Sequence, residues 1–193
     1  MKLFLALALG SLAAMSFAIP DGNKVVLVTI RTQLGNIEVE LYPSKAPKTV
    51  ANFLRYVRAG AYTEGVFHRT VTMGNQPDKK VKIEVIQAGA KKGNKDFAPI
   101  AIERTSESGL KHVDGAISMA RDKPDSATSD FFICIGAQPE LDFAGKRNPD
   151  GQGFAAFGKV TKGMDVVMKI QASPAKDQTL TPPVRILGID VHK

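Results

Sequence analysis

The fold class follows from Val25-Val26-Leu27-Val28-Thr29-Ile30 and Ile37-Glu38-Val39-Glu40-Leu41, two stretches separated by a short gap. The first is rich in β-branched residues. The second alternates apolar with acidic side chains, which is typical of a strand with one face in the core and the other in water. Gly35-Asn36 lies between them and provides a turn. Together they predict neighbouring strands of a half-solvated antiparallel sheet.

The rest of the chain continues this pattern, with many short strands and two helices. Thr49 to Arg58 carries apolar side chains at helical spacing and ends at Gly60, and Met164 to Gln171 predicts a second, shorter helix. Many short strands with only two helices favour a mainly antiparallel barrel or sandwich. The further strands are predicted at Val66 to Val71, Val81 to Gln87, Ala116 to Ala120, Phe131 to Ile135, Phe157 to Val160 and Val184 to Val191.

Composition and length are those of one basic globular domain. The chain has 193 residues, a formal net charge of +7 and 44% hydrophobic residues, which suffices for one core and excludes a wholly disordered chain. Its single cysteine, Cys134, has no partner for an intrachain disulfide. The apolar neighbours of Cys134 indicate a buried thiol rather than a nucleophile. The fold must therefore be held by its core.

The first 18 residues have the pattern of a cleavable secretory signal. Lys2 precedes an apolar run that ends in the small-x-small sequence Ser16-Phe17-Ala18. The run is shorter than the roughly 20 residues of a membrane-spanning helix, although an uncleaved anchor is the alternative. We expect a signal peptide at 1–18, a mature domain at 19–193, no stable membrane insertion after cleavage, and a periplasmic or secreted location.

Motifs for reactive chemistry are missing from the sequence. It has no G-x-S-x-G elbow, no G-x-x-x-x-G-K-[ST] loop, no H-E-x-x-H helix and no C-x-x-C pair, so hydrolase, nucleotide and zinc functions have no support. The lysine-rich stretch Lys79 to Lys95 suits either a solvated loop or a face that attracts an anionic polymer or membrane surface. It contains no aromatic residue for base stacking, so nucleic acid is not an expected partner.

Six segments, in order, resemble the cyclophilin family of peptidyl-prolyl cis-trans isomerases. The resemblance covers nearly the whole mature chain and implies a closed eight-stranded antiparallel β-barrel with two flanking α-helices. It also implies isomerase activity without metal or cofactor. With the leader, the chain resembles exported bacterial members, so we expect a monomer that acts on proline-containing peptides and unfolded exported proteins. The segments are Ala46 to Phe53, Phe67 to Arg69, Val85 to Gly89, Gly115 to Arg121, Ser129 to Ile133 and Phe157 to Met164.

The resemblance implies the site residues as well. Arg69 matches the catalytic cation, Gln87 the glutamine beside it, and Phe132 the floor of the proline pocket. Without the resemblance, Arg69 would be assigned to a surface ion pair and the apolar residues to barrel core. The substrate-binding positions are Val85 and Leu141 on the apolar wall, Ala120 and Arg121 for backbone contacts, Asp130, and Phe154 at the rim.

Some pocket positions depart from the family pattern. Phe154 replaces a polar His or Tyr, so one polar contact is lost there. Glu140 occupies a position that is usually aromatic, which argues against binding of cyclosporin-like ligands. Asp130 replaces a glutamine, so one hydrogen bond to substrate must be remade or is absent.

The largest departure is the spacing between Arg69 and Gln87, which is 18 positions and longer than the family pattern. The extra residues begin with Thr72 to Lys80. They also bring Glu84 to an apolar pocket position, where it either points outward or pairs with Arg69. These departures support a second hypothesis, a peptide-binding or holdase module with weakened catalysis.

Overall fold

The computed structural model describes residues 25–93 and 96–192. The predicted signal peptide at 1–18 and Lys95 lie outside them. Within the described residues the helices are α1 (Pro47–Arg58), α2 (Thr105–Ser108) and α3 (Met164–Gln171). The strands are β1 (Val26–Thr32), β2 (Gly35–Leu41), β3 (Val66–Val71), β4 (Val85–Gly89), β5 (Ala116–Met119), β6 (Phe131–Cys134), β7 (Ala155–Lys162), β8 (Ala175–Lys176) and β9 (Thr179–Val191).

Eight of these strands form a closed antiparallel barrel, which decides between the barrel and the sandwich and confirms the fold that the family resemblance implies. Their order is β1-β2-β7-β5-β6-β4-β3-β9, and pairing of β9 with β1 closes the ring. The two-residue β8 pairs only with β9. In the β1–β2 hairpin, Val28 lies opposite Val39 and Ile30 opposite Ile37, and all four side chains are buried. The alternation of apolar and polar residues is therefore confirmed as an inside–outside pattern.

Phe53 of α1 joins the helix to the barrel interior. Its ring centroid lies 5.3 Å from those of Tyr62 and Phe157 and 5.6 Å from that of Phe131. Tilted and edge-on aromatic contacts at these distances are favourable beyond simple burial. Helix α1 begins at Pro47, two residues before its predicted start, because proline suits the first helical position.

Strand β6 is buried on both faces, and this places a second apolar cluster outside the barrel. Phe131 and Ile133 belong to the main core, whereas Phe132 and Cys134 belong to the outer cluster with Val71, Ile83, Val85, Ala116 and Leu141. Cys134 is fully buried, as predicted, and burial raises the pKa of its thiol.

Some predicted bounds were wrong. Strand β4 begins at Val85 rather than Val81, because the preceding residues leave the sheet in the β3–β4 connection (residues 72–84). The one-turn helix α2 was not predicted, and β9 begins at Thr179 rather than Val184. Within the described residues, no helix combines the length and apolarity needed to cross a bilayer.

Candidate active site

A groove of about 590 Å³ lies over the outer apolar cluster. It brings together all nine residues that the sequence analysis assigned to the site, although they come from distant parts of the chain. The structure also adds Ile83, Lys79 and Arg147 to the lining. The nine are Arg69, Val85, Gln87, Ala120, Arg121, Asp130, Phe132, Leu141 and Phe154.

Phe132 forms the apolar floor of this groove. Its side chain contacts two rings: His112 stacks against it at a centroid distance of 5.9 Å with an interplanar angle of 14°, and Phe154 lies nearly perpendicular to it at 5.3 Å. Val85 and Leu141 are buried beside it. A ring held by these contacts gives a preformed apolar pocket of the kind that small ligands occupy.

A hydrogen-bonded chain behind the floor fixes His112. The Nδ1 atom of His112 lies 2.8 Å from Oδ1 of Asp142, and its Nε2 atom lies 3.0 Å from Oγ of Ser118. Burial alone would raise the pKa of Asp142, but hydrogen bonds from His112 and the charges of His112 and Lys111 outweigh it and lower that pKa. Although Ser, His and Asp form the chemistry of a hydrolytic triad, Ser118 is 0% exposed and does not line the groove. The hydrogen bonds among Ser118, His112 and Asp142 therefore support the floor of the groove.

Arg69 reaches the groove because β3 contains a bulge. Period-two alternation would place Phe67, Arg69 and Val71 on one face of the strand. Instead Phe67 packs in the barrel, whereas Val71 joins the outer cluster and Arg69 lines the groove. The pairing register of β3 shifts between Phe67 and Arg69, where His68 is the extra residue. One extra residue moves the side chains that follow it to the other face of the strand.

Two glutamines hold the Arg69 guanidinium. Nη1 donates to Oε1 of Gln87 at 3.0 Å, and both Nε and Nη2 donate to Oε1 of Gln178 at 2.9 and 2.6 Å. Burial lowers the pKa of Arg69. No carboxylate lies within ion-pair distance of Arg69 among residues 25–93 and 96–192. The Arg69 guanidinium is therefore partly desolvated, and its hydrogen-bond acceptors among the described residues are the neutral amide oxygens of Gln87 and Gln178.

Gln87 is in turn held by Asp130. Its Nε2 atom donates to Oδ2 of Asp130 at 3.2 Å, and Nε2 of His68 lies 3.6 Å from the same oxygen. Gly89 makes room for this carboxylate, since a Cβ at that position would lie 2.1 Å from Oδ1 of Asp130. Burial raises the pKa of Asp130.

The Arg121 side chain stabilises a neighbouring loop. Its guanidinium forms a two-pronged ion pair with Asp150 at 2.8 and 2.9 Å, donates to the carbonyl of Gly153, and lies over the Phe154 ring at 5.0 Å. The backbone N–H of Ala120 donates to the carbonyl of Asp130. The Arg121 side chain is 2% exposed, so only its backbone remains for a peptide contact.

A sequence model described as cyclophilin type peptidyl-prolyl cis-trans isomerase/CLD matches residues 27–191. The chain belongs to this cyclophilin family. As a member of it, the chain is a peptidyl-prolyl cis-trans isomerase. It is 36% identical to "Peptidyl-prolyl cis-trans isomerase" of Acinetobacter baylyi, over 96% of this chain and 94% of that one. It is also 36% identical to "Peptidyl-prolyl cis-trans isomerase B" of Escherichia coli, over 75% and 84%.

Solved cyclophilins share the fold. A crystal structure of a Cryptosporidium parvum cyclophilin type isomerase matches with a TM-score of 0.71 at 24% identity, over 88% of this chain and 99% of that one. A second structure of that protein, determined in the presence of the dipeptide Ala-Pro, matches with a TM-score of 0.70 at 25% identity, over 86% and 99%.

The sequence of this cyclophilin left two orientations open for Glu84, and the structure distinguishes them. Glu84 does not pair with Arg69: its carboxylate lies 3.4 Å from Nε2 of Gln171, and Ile83 supplies the apolar lining instead. Glu140 accepts a hydrogen bond from the backbone of Lys146 and is not among the residues that line the groove.

Sequence reasoning missed Gln178. This residue lies in the turn between β8 and β9, 109 positions from Arg69. Its Nε2 atom donates to the carbonyl of Asn75 in the β3–β4 connection, and Nδ2 of Asn75 donates to the carbonyls of Thr70 and Asp177. Because no local pattern links these segments, nothing in the sequence indicated that they support Arg69.

Proposed function

We propose that this cyclophilin isomerises X-Pro bonds in unfolded or partly folded exported proteins, with Arg69 as the catalytic cation. The single observation that carries the proposal is the desolvated Arg69 guanidinium beside an apolar pocket floored by Phe132. The leader pattern at 1–18 supports a periplasmic or secreted location. We further propose that it acts as a monomer and uses no metal or cofactor.

The reaction requires stabilisation of a twisted amide rather than bond cleavage. Amide resonance leaves a barrier of ~18–20 kcal/mol, and uncatalysed isomerisation takes tens of seconds or longer. Shortening this to milliseconds requires about 5–6 kcal/mol of differential binding to the twisted state. In that state the proline nitrogen has lost conjugation and offers a lone pair.

Arg69 can supply a contact that exists only in the twisted state. A guanidinium carries five N–H donors, and Gln87 and Gln178 engage three of those of Arg69. We propose that a remaining N–H donates to the proline nitrogen as its lone pair forms. Arg69 is held before substrate arrives, and no carboxylate of the described residues lies within ion-pair distance of it, so little reorganisation opposes this contact.

The other residues position the peptide. We propose that the proline ring packs on Phe132 between Val85 and Leu141, with Phe154 at the rim. The backbone of Ala120 and Arg121 would grip the peptide. Asp130 would keep Gln87 oriented toward Arg69 rather than contact substrate directly.

The test is a proline-peptide isomerisation assay on mature residues 19–193, with Arg69→Ala and the exposed Arg58→Ala as a matched control. We expect activity in the parent and in Arg58→Ala, and a loss of roughly a hundred- to a thousandfold in Arg69→Ala, the range seen when one transition-state donor is removed. An inactive parent, or an Arg69→Ala variant as fast as the parent, would overturn the proposal. Accelerated refolding of a proline-limited exported protein would test the client class.

A second candidate is a peptide-binding or holdase module with weakened catalysis. The observation that favours it is the engagement of Nε and Nη2 of Arg69 by Gln178, which occupies donors that a substrate would otherwise use. Binding of a proline peptide without faster exchange between its isomers would support this function over the first.

A further inference from the structure

We propose that Arg147 and Lys79, at one end of the groove, bind the carboxylate of an acidic residue next to the substrate proline. The proposal rests on the isomerase function above and adds a substrate class to it. It would give the β3–β4 connection, which carries Lys79, a role in selecting substrates.

Arg147 is a half-buried cation held by neutral groups. Its Nη1 atom donates to Oε1 of Gln76 at 2.8 Å and to the carbonyl of Val81 at 2.6 Å. No described residue places a carboxylate within 4.0 Å of its guanidinium, in contrast to Arg121, which Asp150 neutralises. Its Nε and Nη2 groups therefore remain able to donate to a ligand.

Other cations reinforce this end of the groove. Lys79 lines the same groove, and its exposed side chain makes no hydrogen bond within the described part of the chain. Burial lowers the pKa of Arg147, and the charge of Arg69 lowers it further, so the two guanidinium groups repel each other. A carboxylate placed here would relieve that repulsion and complete the hydrogen bonding of Arg147.

Charges of the opposite sign are grouped elsewhere in the groove. The acidic residues that line it are Asp96, Asp122 and Asp130. Burial is the main cause of the raised pKa of Asp130, and the charges of Asp96 and Asp122 raise it further. Asp130 lies on the opposite side of the Gln87 amide from Arg69, and no carboxylate of the described residues lies within 4.0 Å of the Arg69 or Arg147 guanidinium. The groove therefore presents a basic end that attracts an acidic substrate residue and repels a basic one.

The experiment compares kcat/KM for peptides that carry Glu, Gln or Lys on either side of the proline. At one flanking position we expect kcat/KM for the Glu peptide to exceed that for the Gln peptide by roughly three- to tenfold, as for a partly exposed charge-assisted contact. The kcat/KM of the Lys peptide should be lower than that of the Gln peptide. The preference should shrink in about 1 M salt, where the screening length is only ~3 Å. Using the ratio between peptides cancels the effect of a variant on catalysis in general.

Variants locate the preference. Lys79→Gln and Arg147→Gln should each reduce the Glu-to-Gln ratio, whereas Lys80→Gln, an exposed neighbour outside the groove, should leave it unchanged. Arg147→Gln also loosens contacts to Gln76 and Val81, so Lys79→Gln is the cleaner variant. Equal kcat/KM for all three peptides in an active parent, or a ratio that survives both substitutions, would overturn this inference and leave the isomerase function standing. A parent inactive on every peptide would instead overturn the isomerase proposal.

Discussion

Phe132 and Arg69 face the same groove, but different parts of the chain hold them in place. Phe132 rests on His112, which Asp142 and Ser118 fix in a sealed interior. Arg69 is held by Gln87, which lines the groove, and by Gln178, and both glutamines are partly exposed. The floor is therefore part of the folded core, whereas the polar wall consists of the Arg69 and Gln87 side chains on β3 and β4, supported by Gln178 from the β8–β9 turn. Substitutions in the floor should change stability, and those in the wall should change catalysis.

The largest effect is expected for Phe132→Ala. Phe132 is 4% exposed and packs against His112 and Phe154, so removal of its ring should lower the free energy of unfolding by about 3–5 kcal/mol. Arg69→Ala should cost about 1 kcal/mol, because it removes only partly exposed hydrogen bonds. Urea unfolding of the two variants would measure the contrast. Equal losses would contradict the division between floor and wall.

Gln178→Ala should have the next largest effect, on rate rather than stability. Losing the acceptor for Nε and Nη2 frees Arg69 to adopt unproductive rotamers, so kcat should fall roughly tenfold, equivalent to about 1.4 kcal/mol. KM should change little, because the apolar pocket is unaffected. Gln33→Ala, a substitution outside the groove, is the control. A faster Gln178→Ala variant would mean that Gln178 sequesters Arg69, as the holdase alternative requires.

The floor and the wall are each supported by an aspartate, and the pKa values of these two aspartates are shifted in opposite directions. The pKa of Asp142 is lowered, so its contribution to stability is present above the pKa of the unfolded chain and is lost as pH falls through the folded-state pKa. The pKa of Asp130 is raised, chiefly by burial, so ionisation of Asp130 disfavours the folded state as pH rises through that value. Carboxyl NMR should detect Asp130 titrating at higher pH than Asp142. The reverse order would refute this assignment.

The smallest effect is expected for Glu84→Gln. The carboxylate lies near Gln171 and not near Arg69, so kcat/KM should change by less than about twofold. Isomerisation kinetics at two salt concentrations would measure it. A large, salt-dependent gain in kcat would instead indicate that Glu84 weakens Arg69.

The contrast between floor and wall also explains what the sequence could predict. The resemblance to the cyclophilin family implied the role of Phe132 and the closed barrel, whereas the pattern of short strands alone predicted an antiparallel barrel or sandwich. The position of Arg69 rests on a bulge that period-two alternation does not reveal. Loops distant in sequence bring Gln178 to Arg69 and Arg147 to the groove, so only the folded chain identifies them.

We propose that Arg69 acts on the twisted amide rather than on peptide binding. NMR exchange spectroscopy on one proline peptide measures binding and isomerisation together, for the parent, Arg69→Lys and Arg69→Ala. We expect both variants to bind the peptide within about threefold of the parent. Isomerisation should slow roughly a hundredfold or more in Arg69→Ala, with partial retention in Arg69→Lys. Loss of binding in proportion to rate, or unchanged exchange in Arg69→Ala, would contradict this role of Arg69.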